Sequence, residues 1–369
     1  MLVPKSDFLH FSDDLVMLAT GGQPPLLRVH REMFDRFAAD KARGMAGYEA
    51  HQAIARAAKQ KLSSLTGLPP SSHALIGNAS DGISRVVSSF EWRVGDNVVV
   101  ANKDYASGRF ALQRLRAFGV EVRVIEAKGW YIDPHDLLAA CDNNTRLMYL
   151  SHVTSLTGQR FDIAKIASAL PAGTTFLVDA SHSMGVIPVD ARLADFTVSS
   201  GYKFLCATHT GILAWNQEKQ PTFEPLGVGW HGAASDPRAD DFTLYPDARR
   251  AELGNPNYLD VYLLNASLQY LLNVGIRQIS NHIRSLADGL YESLSDLGLV
   301  LVTPDNADER AANIAFAYHD PATLVREAAG ENIMLWGGEG RVRASLHLFN
   351  DQVDVDRYVL WLKRHLELP

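Results

Sequence analysis

The chain has 369 residues, 47% of them hydrophobic and 21% charged, with a formal net charge of −7. This is an ordinary globular composition, long enough for one large domain and a smaller one, and its mildly acidic, mixed-sign charge offers no basic face for nucleic acid. Two cysteines, Cys141 and Cys206, exclude a disulfide framework and a paired-cysteine zinc site; no apolar run is long enough to cross a bilayer, and the opening MLVPKSDFLHFSDD lacks a signal-peptide pattern, so a reducing, cytoplasmic setting is expected.

The stretch up to Leu65 is expected to be largely helical, with its extreme N-terminus folding back on the smaller domain. Next, HAL reads as strand-like, and IGNASDG (Ile76–Gly82) opens a helical pattern. Short β-rich runs then alternate with helical ones. DNVVVAN (Asp96–Asn102), VEVRVIE (Val120–Glu126), RLMYLSHV (Arg146–Val153), TTFLVDA (Thr174–Ala180) and FTVSS (Phe196–Ser200) read as strands. KDYASGRFALQRLRAFG, DPHDLLAACD and DIAKIASALPAG carry apolar residues at helical spacing, and TGILAW (Thr210–Trp215) reads as a further strand. Several of the strands are nearly continuous apolar runs, as expected when both faces are buried. The alternation predicts an α/β fold with a mostly parallel sheet covered by helices on both sides.

After Trp215 the texture changes to a long irregular stretch rich in Pro, Gly and Asp, of the kind found at functional sites or interfaces. A long helical pattern follows from Tyr258 to Leu297. LVLVT, NIAFAYH, IMLWG and RVRASLH read as short strands, with helices over Pro321–Ala329 and Gln352–Leu366. The expected division is a large cofactor-binding domain over 21–256 and a small α+β domain made of 1–20 and 257–369. No internal repeat or low-complexity segment interrupts it.

In open parallel sheets, ligands bind outside the carboxyl ends of the strands. Three features stand there. Small residues and the hydroxyl of Ser80 open a helix whose backbone N–H groups suit a phosphate. Asp179 ends FLVDA, with His182 three residues on. Lys203 follows the FTVSS strand in an apolar, small-residue setting, where desolvation would lower its pKa and free the amine as a nucleophile. Singly, these are an N-cap, a turn aspartate and a snorkelling lysine. Together they are what pyridoxal phosphate needs: a phosphate cup, a carboxylate for the pyridine nitrogen and an amine for the aldehyde.

VDASHSMG followed closely by SSGYKFLCATHTGIL resembles the class V aminotransferases, a group that includes cysteine desulfurases, kynureninase and isopenicillin N epimerase-like proteins. The resemblance covers nearly the whole chain. It implies a fold type I, pyridoxal 5'-phosphate-dependent homodimer with active sites at the subunit interface, a seven-stranded sheet and a smaller α+β domain. By the same resemblance Lys203 is the Schiff-base lysine, Asp179 the pyridinium partner and His182 the neighbour packed by the ring. Ala79 and Ser80 fill the phosphate cup, and Ser200 and Tyr202 match further phosphate-holding positions. ANKDYASGRFAL aligns with the segment whose ring stacks on the cofactor; Tyr105 is the aromatic at that place, with Asp104 the other aligned possibility. LSHVTSLTG puts Ser155 near the ring hydroxyl. ARRAELGNPN resembles the segment in which one subunit reaches the other's phosphate, with Asn255 where Thr is usual. RVRASLHLFN resembles the segment whose arginine grips the substrate carboxylate, which is Arg343 here.

The family's desulfurases carry a mobile cysteine between the long helix and that arginine; this chain has none there. Transamination of a carboxylate-bearing amino acid through an external aldimine is therefore the leading expectation. A carbon–sulfur β-lyase without a persulfide cysteine, an epimerase, and a catalytically silent cofactor-fold binding protein are the alternatives. Trp230, His231, Glu339 and LATGGQPP (Leu18–Pro25) are the candidate substrate-side groups, with Trp230 favoured.

Overall fold

The protein is described from a computed structural model covering all residues except 237, 239, 368 and 369. The N-terminal segment is irregular over its first part, with a single 3-10 turn at Lys5–Asp7, and β1 (Val16–Met17) precedes α1 (His30–Lys41) and α2 (Met45–Thr66). Next come β2 (His73–Ile76), α3 (Ala79–Ser88), β3 (Asn97–Ala101), α4 (Ala106–Gln113), β4 (Glu121–Ile125) and α5 (Pro134–Ala139). They are followed by β5 (Thr145–Ser151), α6 (Ile163–Ala169), β6 (Thr175–Asp179), β7 (Phe196–Ser200) and β8 (Gly211–Trp215).

Strands β2 to β8 form one seven-stranded sheet in the order β2-β8-β7-β6-β5-β3-β4. Only β8 runs against the rest, so the sheet is mostly parallel, as the near-continuous apolar runs imply. The carboxyl ends of β2, β5, β6 and β7 therefore open on the same edge. Helix α3 lies close on the sheet at Gly82, where an added Cβ would come within 2.8 Å of Ile76 and Val198.

The long helical pattern resolves into two helices, α7 (Tyr258–Val274) and α8 (Ile276–Asp296). Gly275 divides them at φ 93, a conformation open to glycine and costly for other residues. Beyond α8, β9 (Asn313–Ala317), α9 (Pro321–Gly330), β10 (Ile333–Met334), β11 (Trp336–Gly338), β12 (Arg341–Ser345) and α10 (Gln352–His365) complete the chain. β11, β12 and β9 form an antiparallel sheet, while β10 leaves it to pair in parallel with β1. LVLVT is not a strand: only an isolated bridge, Leu301 to Phe316, joins it to that sheet.

The N-terminal segment is thus bolted to the C-terminal sheet. Ser345 N–H donates to the Leu18 carbonyl at 2.6 Å. The buried Lys5 ammonium reaches the Asp354 carboxylate at 2.8 Å and the Leu15 carbonyl at 2.8 Å. One apolar core runs from Phe8 and Leu18 through α2 and α7 to Phe204, Leu346 and Phe349, so it joins this segment to the loop that follows β7.

Removing one partner of a buried ion pair leaves the other charge stranded. Lys5→Met is expected to cost about 3 kcal/mol, read as a lower urea midpoint with faster proteolysis of the first twenty residues, and Lys5→Met with Asp354→Leu should recover part of the loss. A double variant no better than the single one would overturn this account.

Candidate functional site

The residues expected to form the phosphate cup come together first. Asn78 caps α3 by accepting the Asp81 N–H at 3.0 Å, which leaves the next amides at the helix start. Ala79 N–H donates to Ser200 Oγ at 3.1 Å, tying the end of β7 to this helix N-terminus. Ser80 Oγ lies 2.6 Å from the hydroxyl of Ser107, in the first turn of α4. Ser107 is a further hydroxyl at this place that the sequence did not single out; its signal is a hydroxyl opening the helix after β3, as Ser80 opens the helix after β2. Tyr202 stacks on His209, their ring centroids 5.1 Å apart.

Lys203 leaves β7 in a tight loop. Gly201 N–H donates to the Thr210 carbonyl at 2.8 Å, and Cys206 N–H donates to the Lys203 carbonyl at 2.9 Å. The Lys203 side chain is buried, and its Nζ lies 4.9 Å from the centre of the Tyr105 ring. No hydrogen-bond acceptor among the described residues takes this ammonium. Burial pulls its pKa down to about 8; the Asp179 charge opposes the shift and Arg343 adds to it.

Asp179 ends β6 with its carboxylate buried. It accepts Ser181 N–H at 2.8 Å and the Tyr149 hydroxyl at 3.2 Å. Behind it stands a second buried carboxyl, Asp104, which accepts Ser151 Oγ–H at 2.5 Å, Ser151 N–H at 2.9 Å and Tyr105 N–H at 2.6 Å. Burial raises the Asp104 pKa to about 6. Asp104 therefore turns into the fold and Tyr105 turns toward Lys203. Tyr149 and Ser151, which join the two carboxyls, were not singled out in the sequence because a tyrosine and a serine inside an apolar strand read as packing.

His182 sits across from the N-terminal segment. Burial and the charges of Lys203 and Arg343 hold its pKa well below the ordinary histidine range, so the ring is neutral. Its Nδ1 accepts from Asn313 Nδ2 on β9 at 3.0 Å, which leaves the proton on Nε2. Gly21, within LATGGQPP, closes this corner. A Cβ there would lie 2.8 Å from Ser345 Oγ, 3.0 Å from Arg343 Nη2 and 3.1 Å from His182 Cε1.

Arg343 is only 3% exposed. Its guanidinium donates to Ser345 Oγ at 3.0 Å and to the Ser155 carbonyl at 2.5 Å. No carboxylate among the described residues pairs with it, and burial with the neighbouring Arg341 charge lowers its pKa to about 9. Ser155 thus meets the two arginines through its backbone, because Arg341 also donates to that carbonyl, at 3.3 Å. Arg341 and Arg343 stand two apart on β12 and so face the same side of the strand, a signal already present in RVR.

Two predicted residues stand apart in this chain. Asn255 is exposed, and its Oδ1 accepts the hydroxyls of Tyr48 at 2.9 Å and Tyr258 at 3.2 Å. Trp230 is 55% exposed and lines a separate cavity of about 650 Å³ with Lys59, His231, Arg249 and Glu252. There, Glu252 is held between Lys59 at 2.7 Å and His231 at 3.1 Å. Neither cysteine is poised for sulfur chemistry. Burial pushes the Cys206 thiol pKa far up, and its Sγ packs 3.6 Å from His347. Cys141 is half-buried behind the sheet, also raised by burial, to about 11.

These residues fit pyridoxal phosphate. An unpartnered buried amine, a buried carboxylate and a hydroxyl-lined helix N-terminus lie along one sheet edge, and the buried Arg343 guanidinium lies within electrostatic reach of the amine. A family model described as aminotransferase class-V matches residues 19–358. A probable cysteine desulfurase of Methanothermobacter thermautotrophicus is 28% identical over 90% of this chain and 88% of that protein. Isopenicillin N epimerase of Streptomyces clavuligerus is 28% identical over 82% of this chain and 80% of that protein. The apo structure of a cysteine desulfurase from Thermococcus onnurineus NA1 shares the fold with a TM-score of 0.90 at 21% identity, covering 100% of this chain and 99% of that one.

The depressed lysine gives a direct measurement. In cofactor-free protein, acylation of Lys203, followed by mass spectrometry, is expected to rise through pH 8 and not through the ordinary lysine value of 10.5. Asp179→Asn should move the midpoint lower and Arg343→Gln higher. Between those two pH values the unfolded chain holds a proton on Lys203 that the native chain has released, so this group's contribution to stability grows as pH rises through the window. A midpoint at the ordinary value would contradict the buried, unpaired amine.

Proposed function

The chain belongs to the class-V aminotransferase family, a family of pyridoxal 5'-phosphate enzymes, and we propose that it is an aminotransferase acting on a carboxylate-bearing amino acid at the Lys203 site. The observation that carries this reading is the buried Arg343 guanidinium, which has no acidic partner and lies within electrostatic reach of the depressed Lys203 amine. A lone buried cation is unfavourable unless an anion completes it, and a guanidinium fork suits a carboxylate.

Pyridoxal phosphate, when bound, supplies an aldehyde for an amine and an electron sink for a bond broken at the amino acid's Cα. Ala79, Ser80, Ser107 and Ser200 would hold its phosphate, with Tyr202 beside them. Asp179, kept in place by Tyr149 and Ser181, would hold a proton on the ring nitrogen. Tyr105 and the neutral His182 would pack on the ring, and Lys203 would form the Schiff base. Arg343 would orient the substrate by its α-carboxylate, which also brings the α-proton within reach of Lys203. Once free, the Lys203 amine can take that proton and return it elsewhere, because its lowered pKa keeps a neutral fraction near pH 8.

A homodimer with active sites at the interface is part of this proposal. Leu226, Val228, Trp230 and Leu253 are exposed apolar residues of the long irregular stretch, and a second copy would cover them. Asn255 and Trp230 would then serve the partner's site. A reducing cytoplasmic setting suits the two free cysteines. Carbon–sulfur β-lysis is the second reading, favoured by the cysteine desulfurase relatives; the buried Cys206 argues against a persulfide route.

Three outcomes test this. Protein purified with pyridoxal phosphate should absorb in the near-visible, and Lys203→Ala should lose both that band and turnover. Arg343→Ala should raise KM by about a hundredfold while cofactor binding is kept, since charge-assisted hydrogen bonds to a carboxylate are lost. Incubation with single amino acids should yield an oxo-acid; pyruvate with ammonia would favour the lyase, and loss of optical activity the epimerase. No band in the wild-type protein would overturn the enzyme reading.

A further inference from the structure

Arg341 and Arg343 do not have the same surroundings. Both guanidiniums lie by the Trp336 ring, 4.5 and 5.2 Å from its centre. Arg343 has no carboxylate, but Arg341 has one: its Nη1 lies 3.0 Å from Glu339 Oε2. Arg341 is buried, while the Glu339 side chain is 67% exposed. The β11–β12 pairing of Gly338 with Arg341 makes Glu339 and Gly340 a two-residue turn. Both have positive φ, 54 and 78. Glycine or asparagine suits such a turn, and an ordinary L-residue in the left-handed region costs roughly 1–2 kcal/mol. The chain holds a carboxylate there in spite of that strain.

The charge of Glu339 reaches into the site. It acts on Tyr105, raising its pKa together with Tyr202 and Asp179 after the larger effect of burial, and it acts on Arg343. A substrate held by its α-carboxylate on Arg343 shares this space with the hairpin tip.

Building on the proposed role of Arg343, we infer that Glu339 is a specificity residue: it occupies Arg341 as an internal carboxylate and turns away amino acids with acidic side chains, so that the substrate is a neutral or cationic amino acid. A second substrate carboxylate would find Arg341 already paired and would face a like charge.

The test uses the pyridoxal-phosphate-loaded protein. Wild type, Glu339→Gln and Glu339→Asn are compared for kcat/KM on alanine, cysteine, lysine, aspartate and cysteine sulfinate; the asparagine variant also relieves the turn. Wild type should prefer alanine or cysteine to the acidic pair, and both variants should raise the acidic-to-neutral ratio about five- to tenfold, since a single like-charge contact of about 1–1.4 kcal/mol is removed. An unchanged ratio in both variants, or a wild-type preference for aspartate, would overturn the assignment while leaving the Arg343 reading intact. No spectral response of wild type to any amino acid would overturn both.

Discussion

A positive charge buried without a negative partner governs this structure. Arg343 sits behind the N-terminal segment, held by a serine hydroxyl and a peptide carbonyl. Such a group disfavours further positive charge close to it. Burial depresses Lys203 and His182, and the Arg343 charge adds to both shifts, so one residue on the C-terminal sheet helps to keep an amine and an imidazole beside the large sheet from holding a proton. Asp179 is the buried counterweight to Lys203, and its position depends in turn on Tyr149 and on the Ser151–Asp104 pair behind it.

That arrangement requires several remote parts of the chain to meet. β6 and β7 deliver Asp179 and Lys203, β12 delivers Arg343, β9 orients His182 through Asn313, and the N-terminus closes the corner with a glycine. His347 is one of the ties. Its ring, neutral because burial lowers its pKa to about 4, donates Nε2–H to the Phe204 carbonyl at 2.8 Å and accepts Leu348 N–H at Nδ1. The loop carrying Lys203 is therefore gripped by the strand extension that follows Arg343. The Lys5–Asp354 pair grips the N-terminal segment in the same way. Small shifts of the C-terminal sheet would move the amine, the imidazole and the anchor together.

The parallel sheet was legible because strands buried on both faces leave apolar runs, and the residues at their carboxyl ends were legible because chemistry there must use polar side chains. Lys203 and Asp179 stood out for that reason. Other features were not. The Gly275 break in the long helix left no gap in the apolar pattern, since buried apolar residues recur on both sides of it, from Leu271 to Ile279. LVLVT has strand composition but meets the sheet at one bridge only, a matter of geometry and not of propensity.

By itself the sequence determined the α/β architecture, the alternation of strands and helices along the chain, and which side chains could do chemistry, because periodicity and residue type are local properties. Only the tertiary structure turned Asp104 into the fold and Tyr105 toward Lys203, since that depends on which of two adjacent side chains finds a buried partner. It also gave Glu339 to Arg341 and left Arg343 without a carboxylate, a difference in pairing that the motif RVR does not carry. Charge pairing is a property of three-dimensional neighbours, and a turn at the end of a hairpin set it here.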